Sequence, residues 1–214
     1  KVMGDIRDGA LNVIFFFCVT IVVTALLVWF YSQSFLFSIL PMGCSLAAVA
    51  WQLGIIHLMG FGIDPMSILV PFLVFAIGVS HGVQMVRVFR DQLFHGEEAS
   101  VAARKAFSEL LIPGGVALLT DTIGFITILL IPVPTIRELA IAASVGVAAI
   151  IVTNLILLPL LLSYQKPSDE YRERVAKRKV KTKKFWHKVS VVSERRMAKG
   201  LVVIGALLFV FGFD

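Results

Sequence analysis

Charge is scarce in this sequence. Asp, Glu, Lys and Arg make up 16% of its 214 residues and 58% are hydrophobic, whereas a soluble domain carries about 25% charged residues. With a mean hydropathy of +0.90, that scarcity excludes an ordinary globular domain and points to an integral membrane protein. Cysteine is scarcer still. Cys18 and Cys44 both fall inside apolar runs, so no disulfide framework is implied, and they behave as small hydrophobes that say nothing about redox compartment. Gly-x-Ser-x-Gly, a Walker loop and Cys-x-x-Cys are all missing, which argues against ATP hydrolysis and against an enzyme. His57, His95 and His187 fall at other depths than His81, so neither a metal site nor a cofactor is expected. The chain opens on Lys1 without the charged, short-apolar, small-residue pattern of a leader, and closes inside the apolar run 210–213. The reading is a segment of a longer polypeptide.

What is present is a series of apolar runs of spanning length, since about 20 residues at 1.5 Å rise cross the hydrocarbon core. Five are expected, over residues 11–31, 35–58 (interrupted by Pro41 and Gly43), 65–89, 111–131 and 138–163. Asp64-Pro65 suits a helix start, with an N-cap residue followed by proline at the first helical position. Residues 92–110 read as a short surface helix, and Pro132-Val133-Pro134 forces a turn. Residues 1–10 are polar and look like a lead-in from a preceding domain, and residues 200–214 begin a sixth span. The expected fold class is an all-α membrane protein, a polytopic transmembrane helix bundle with a cytoplasmic amphipathic helix.

The net charge of +6 does not imply nucleic acid, because thirteen of the twenty Lys and Arg crowd into 166–199. Beside so much apolar sequence, that cluster fits a segment facing anionic lipid. Counting Lys and Arg at each connection puts 90–110 and 164–199 on the cytoplasmic side, so the first span runs inward. Tyr171, Val175, Phe185, Trp186 and Val189 share about a third of a helical wheel. An interfacial helix over 164–199 is therefore expected, laying Lys177, Arg178, Lys181, Lys184 and Trp186 on the membrane surface. A solvated charged linker is the plainer alternative.

Polar groups inside the third and fourth spans are the candidates for chemistry, because such groups are costly in a bilayer unless they face protein or a water-filled path. Measured from the expected inner ends at Phe89 and Leu111, His81 and Asp121 lie about 12 and about 15 Å deep. That spacing predicts an imidazole–carboxylate pair near mid-membrane, able to take up and release a proton near neutral pH. Ser80, Gln84, Thr120 and Thr122 would support such a relay, and Gly78, Gly82, Gly124 and Gly146 would let helices pack closely. The competing reading is a static interhelical hydrogen bond that only glues the bundle.

Five stretches in this order carry a family resemblance: Gly78-Val79-Ser80-His81, the Arg-bearing run after it, the stretch 120–125 (Thr-Asp-Thr-Ile-Gly-Phe), the stretch 132–139 (Pro-Val-Pro-Thr-Ile-Arg-Glu-Leu) and Leu157-Leu158-Pro159-Leu160. Together they resemble the RND superfamily in its MMPL-like branch, over residues 11–163, a unit similar to the sterol-sensing domain. The resemblance implies the second to sixth spans of one half of a transporter in a bacterial inner membrane. It further implies extracytoplasmic domains, a second half of the same protein and proton-driven export of lipids or other hydrophobic molecules, with a homo-oligomer or auxiliary subunits. The family usually reads Gly-Val-Asp-Tyr where this chain has Gly78-Val79-Ser80-His81, and commonly has Thr where Asp121 stands. Either the carboxylate has moved to the neighbouring helix or this half has lost coupling. A lipid-binding, sterol-sensing-like module without turnover and a protein-translocation accessory are the other readings.

Overall fold

The computed structural model describes residues 2–62, 67–165, 171, 173, 190 and 195–211, and every element in them is helical. The chain divides into two units, 1–167 and 168–214. Five helices of the first unit are long and apolar enough to cross a membrane.

Helix α1 (Val2–Ser32) is an unbroken apolar run beyond residue 10, and its polar start is helical too, where a lead-in was expected. It ends where Gln33 takes a left-handed φ of 55°. There the Ser32 and Ser38 hydroxyls meet at 2.6 Å and the Ser34 side chain accepts from the Phe37 N–H, capping α2 (Phe35–Leu58). Pro41 sits inside α2 without ending it, because a spanning helix loses only one backbone bond there and packed neighbours tolerate the gap. Gly60, with φ +82°, turns the chain after α2.

A 3-10 turn (Ser67–Leu69) leads into α3 (Val70–Phe94). The expected cap at Asp64-Pro65 lies outside the described residues. Helix α3 starts later than the sequence suggested and runs five residues further, to the turn at Gly96, φ +86°. Helix α4 (Ala99–Ile128) then continues in one piece through Pro113. The separate surface helix expected over 92–110 is thus the first part of α4. Nothing between Ala99 and Ile112 breaks a helix, and Pro113 withdraws a single donor. An exposed Lys105–Glu97 ion pair ties its start to the turn.

The turn expected at Pro132-Val133-Pro134 is present, with Pro134 opening α5 (Pro134–Ile150). A π-helical turn (Ile151–Leu157) follows without a break, and then α6 (Leu158–Ser163). In the second unit, α7 (Arg195–Phe211) is exposed along 202–210. The membrane-surface group Lys177, Arg178, Lys181, Lys184 and Trp186 lies outside the described residues.

Helices α2, α3 and α5 form the packed centre. Glycines set how closely they approach. A Cβ on Gly78 would stand 2.7 Å from Ser45 Oγ, one on Gly82 would stand 2.6 Å from Pro41 Cβ, and one on Gly146 would overlap Val74 Cγ2. Phe75, Phe89 and Met85 of α3 are fully buried, and Phe89 meets Phe37 of α2 edge-on at 5.7 Å. Helix α1 lies on this core through Phe17, whose ring reaches Phe72 and Phe75 at 4.7 and 5.7 Å, and through Arg90, which donates to the Tyr31 carbonyl and sits over its ring.

Candidate functional site

The structure does not bring His81 and Asp121 together. Their expected equal depth rested on Phe89 and Leu111 as the ends of the spans, but the hairpin actually turns at residues 95–98, which resets the register of α4 against α3. Consequently the His81 ring stands level with Gly114, its Cδ2 4.0 Å from where a Gly114 Cβ would be. Asp121 is seven residues further along α4, about 10 Å at 1.5 Å per residue. Both residues are half-buried, and neither an ion pair nor a hydrogen bond joins them.

His81 instead bonds its own helix, Nδ1 lying 3.0 Å from the Ile77 carbonyl oxygen. That oxygen can only accept, so Nδ1 carries the proton, and in the neutral ring Nε2 is left as an acceptor. Among the described residues Nε2 has no partner. The supporting polar residues divide in a similar way. Thr120 and Thr122 donate to Val116 and Leu118 of their own helix, both at 2.8 Å, the back-bonding habit of hydroxyls in helices. Ser80 and Gln84 are exposed. With Arg87 and Asp91 they recur at helical spacing, so one outward face of α3 carries a polar stripe through an otherwise apolar surface. Of the four glycines, Gly78, Gly82 and Gly146 stand at helix contacts, while Gly124 faces open space.

A second polar group, which the sequence reading passed over, lies in the packed centre. Ser45, Gln52, Thr153 and Asn154 are each at least 98% buried. Pro41, Ser45 and Gln52 follow one stripe of α2, and Asn154 reaches the same seam from the π-helical turn. Ser45 donates to the Pro41 carbonyl at 2.7 Å, Thr153 to the Ala149 carbonyl at 3.1 Å, and the Asn154 amide nitrogen to Thr153 Oγ1 at 3.3 Å. The two amide oxygens, Gln52 Oε1 and Asn154 Oδ1, find no donor among the described residues. Each is a group whose burial without a donor costs about 1–3 kcal/mol. The Asn154 oxygen faces Gly82, 2.9 Å from the missing Cβ, and Gln52 packs at Gly146. The available signal was a Thr153-Asn154 pair five to six residues before Pro159, inside an apolar run where neither residue has reason to stand.

The family model described as MMPL family matches residues 2–199. The chain is similar to the membrane protein MJ1562 of Methanocaldococcus jannaschii, 25% identical over 136 residues, covering 62% of this chain and 34% of that one. The match thus spans about a third of its curated relative's length. No solved structure matches the chain.

Proposed function

Since the chain belongs to the MMPL family, we propose that it is the membrane-spanning bundle of one half of a secondary transporter that moves lipids or other hydrophobic molecules at the expense of the proton gradient. The observation that carries the proposal is His81, a titratable ring half-buried in a spanning helix that also bears an outward polar stripe, with Nε2 left as an acceptor. A polar stripe in a spanning helix is unfavourable against lipid and favours cover by protein. Ser80, Gln84 and Arg87 therefore suit contact with a second bundle, the other half of the same transporter. His81 takes the proton in this reading. Asp121, about two turns away along α4, is a separate titratable station rather than its direct partner. Cytoplasmic placement of 90–110 and 164–199 follows from their Lys and Arg content, and the hydrophobic cargo follows from kinship.

Two substitutions test the proposal. His81→Ala should abolish proton-dependent transport by the reconstituted protein while leaving its insertion intact. Asp121→Asn should reduce transport through loss of the second station. Undiminished transport by His81→Ala would sink the coupling role. The lack of contact between His81 and Asp121 favours one other reading, a bundle that binds lipid between its helices without turnover. That version predicts lipid binding with no proton flux in either variant or in the parent.

A further inference from the structure

The two buried amide oxygens lie on one seam. Gln52 stands where Val74 and Gly146 meet, and Asn154 stands at Gly82, eight residues further along α3 than Val74, or about 12 Å. Between them, at Gly78, come the Ser45 hydroxyl and the Asn154 amide nitrogen, both within 3.3 Å of the point a Gly78 side chain would fill. The acceptors therefore follow one another along the membrane normal, not around it. Every one is a neutral oxygen that cannot itself titrate. His81 adjoins Gly82 in sequence, and Leu155, next to Asn154, packs with the His81 ring on Gly114.

Apolar side chains at 52 and 154 would need no donor. Asparagine is kept instead at a π-helical turn, an irregularity frequent at functional sites, and buried polar atoms that lack protein partners are commonly served by internal water. Resting on the proton-coupled reading above, we propose that Gln52 Oε1 and Asn154 Oδ1 anchor water in a polar path along the α2–α3–α5 seam, and that this path conducts protons to His81. Each oxygen accepts a hydrogen bond from a water molecule. A proton passes along such a chain by exchange between waters and is taken up at His81 Nε2, no other bond changing. The charged and titratable residues of the surrounding helices, Cys44 and His57 on α2, Arg87, Arg90 and Asp91 on α3, Arg104, Lys105, Glu109 and Asp121 on α4, and Arg137 and Glu138 on α5, are distinct from the path's own neutral residues.

The test uses Asn154→Leu and Gln52→Met in the reconstituted protein, with proton flux and thermal unfolding measured together. The expected result is at least a tenfold loss of flux with a melting temperature equal to or above the parent's. Asn154→Ser, which keeps an oxygen, should retain flux within threefold. Unchanged flux in the apolar variants would overturn the path, as would a lowered melting temperature or an inactive serine variant, since these mark a structural role. Flux that requires sodium and stops in choline would overturn it in favour of a metal cation. His81→Ala separates the two readings, because loss of flux there with normal flux in Asn154→Leu removes the path and leaves the coupling role standing. Hydroxyl-radical footprinting, which oxidises side chains beside bound water, needs no transport. Pro41, next to Asn154 Oδ1, should be labelled in the parent and protected in Asn154→Leu, and no labelling in the parent would overturn the proposal.

Discussion

Helices α1 and α3 are both spans, and the more apolar of the two is the less buried. In α1, 6% of the apolar window is covered by protein, against 44% in α3, although α1 is the more hydrophobic. Its Phe15, Phe16, Leu27 and Phe30 all point outward, more than half exposed. In water this would be an aggregation hazard, whereas in a bilayer lipid covers such residues at no cost. Hydrophobicity therefore does not choose the core of this protein. Small residues and buried polar ones do, since they permit close contact and lose most by facing lipid. The centre of the bundle is Gly78, Gly82, Gly146, Ala48, Ala143, Ser45, Gln52 and Asn154 as much as it is Phe75 and Phe89.

Deleting a large ring on each helix puts this contrast to its hardest test. Phe75→Ala empties a site that is 1% exposed and should cost about 3–5 kcal/mol. Phe15→Ala, at 63% exposed, should change stability by less than about 0.5 kcal/mol, lipid replacing the lost contacts. Reversible unfolding in mixed micelles measures both. Equal effects would mean that lipid exposure and protein burial are not separated as the structure has them.

Glycines give the next contrast, one between α5 and α4. Gly146→Ala drives a methyl group into Val74 Cγ2 and within 3.1 Å of Gln52 Cγ, an overpacking that should cost about 1–3 kcal/mol. Gly124→Ala meets nothing within 4 Å and should stabilise by up to about 1 kcal/mol through helix propensity. The same unfolding assay should therefore report opposite signs for one chemical change.

How much of this could be read from the sequence depends on which force decided each feature. Span 35–58 agrees with α2 residue for residue, because length and hydropathy fix spans and Ser34 supplies a cap. The turn at Pro132 and Pro134 was equally plain. The end of α3 was not, because Arg90-Asp91 looks like a membrane boundary, but a helix does not stop at a boundary unless a residue such as Gly96 stops it. The start of α4 at Ala99, twelve residues before the expected Leu111, outweighs the five-residue extension of α3 and moves Asp121 away from His81, since register between neighbouring helices depends on where the turn falls. Gln52 and Asn154 were missed for another reason. Each sits alone in an apolar run, and only tertiary packing shows that both lie on one seam.

Arg90 sharpens the comparison from the side of α1, which touches the core sparingly. Its guanidinium lies 5.7 Å from the centre of the Tyr31 ring and donates to the Tyr31 carbonyl. Arg90→Ala should cost about 0.5–1 kcal/mol. Cysteine cross-linking between the ends of α1 and α3 should become less efficient, with α2–α3 cross-links unaffected. If both pairs weaken together, α1 is a full member of the core.

The smallest expected change in stability, and the most informative about α5, is at Pro159. Proline has no N–H and its ring collides with the carbonyl four residues earlier in an α-helix, and the π-helical turn Ile151–Leu157 immediately precedes it, the Leu158 N–H bonding back to the Thr153 carbonyl. Pro41 and Pro113 sit in helices that remain α-helical, so proline alone does not force the wider turn, and Asn154 holding its place at Gly82 is the other candidate cause. Pro159→Ala restores a donor worth about 1 kcal/mol and removes buried ring atoms worth a similar amount, so unfolding should shift by less than about 0.5 kcal/mol. The backbone should respond more than the stability does. If proline makes the turn, amide exchange at residues 155–159 slows as α-helical bonds form, and Asn154 rotates off Gly82 with loss of proton flux. If Asn154 makes it, exchange and flux both stay as they were, and Asn154→Leu is the substitution that straightens the helix.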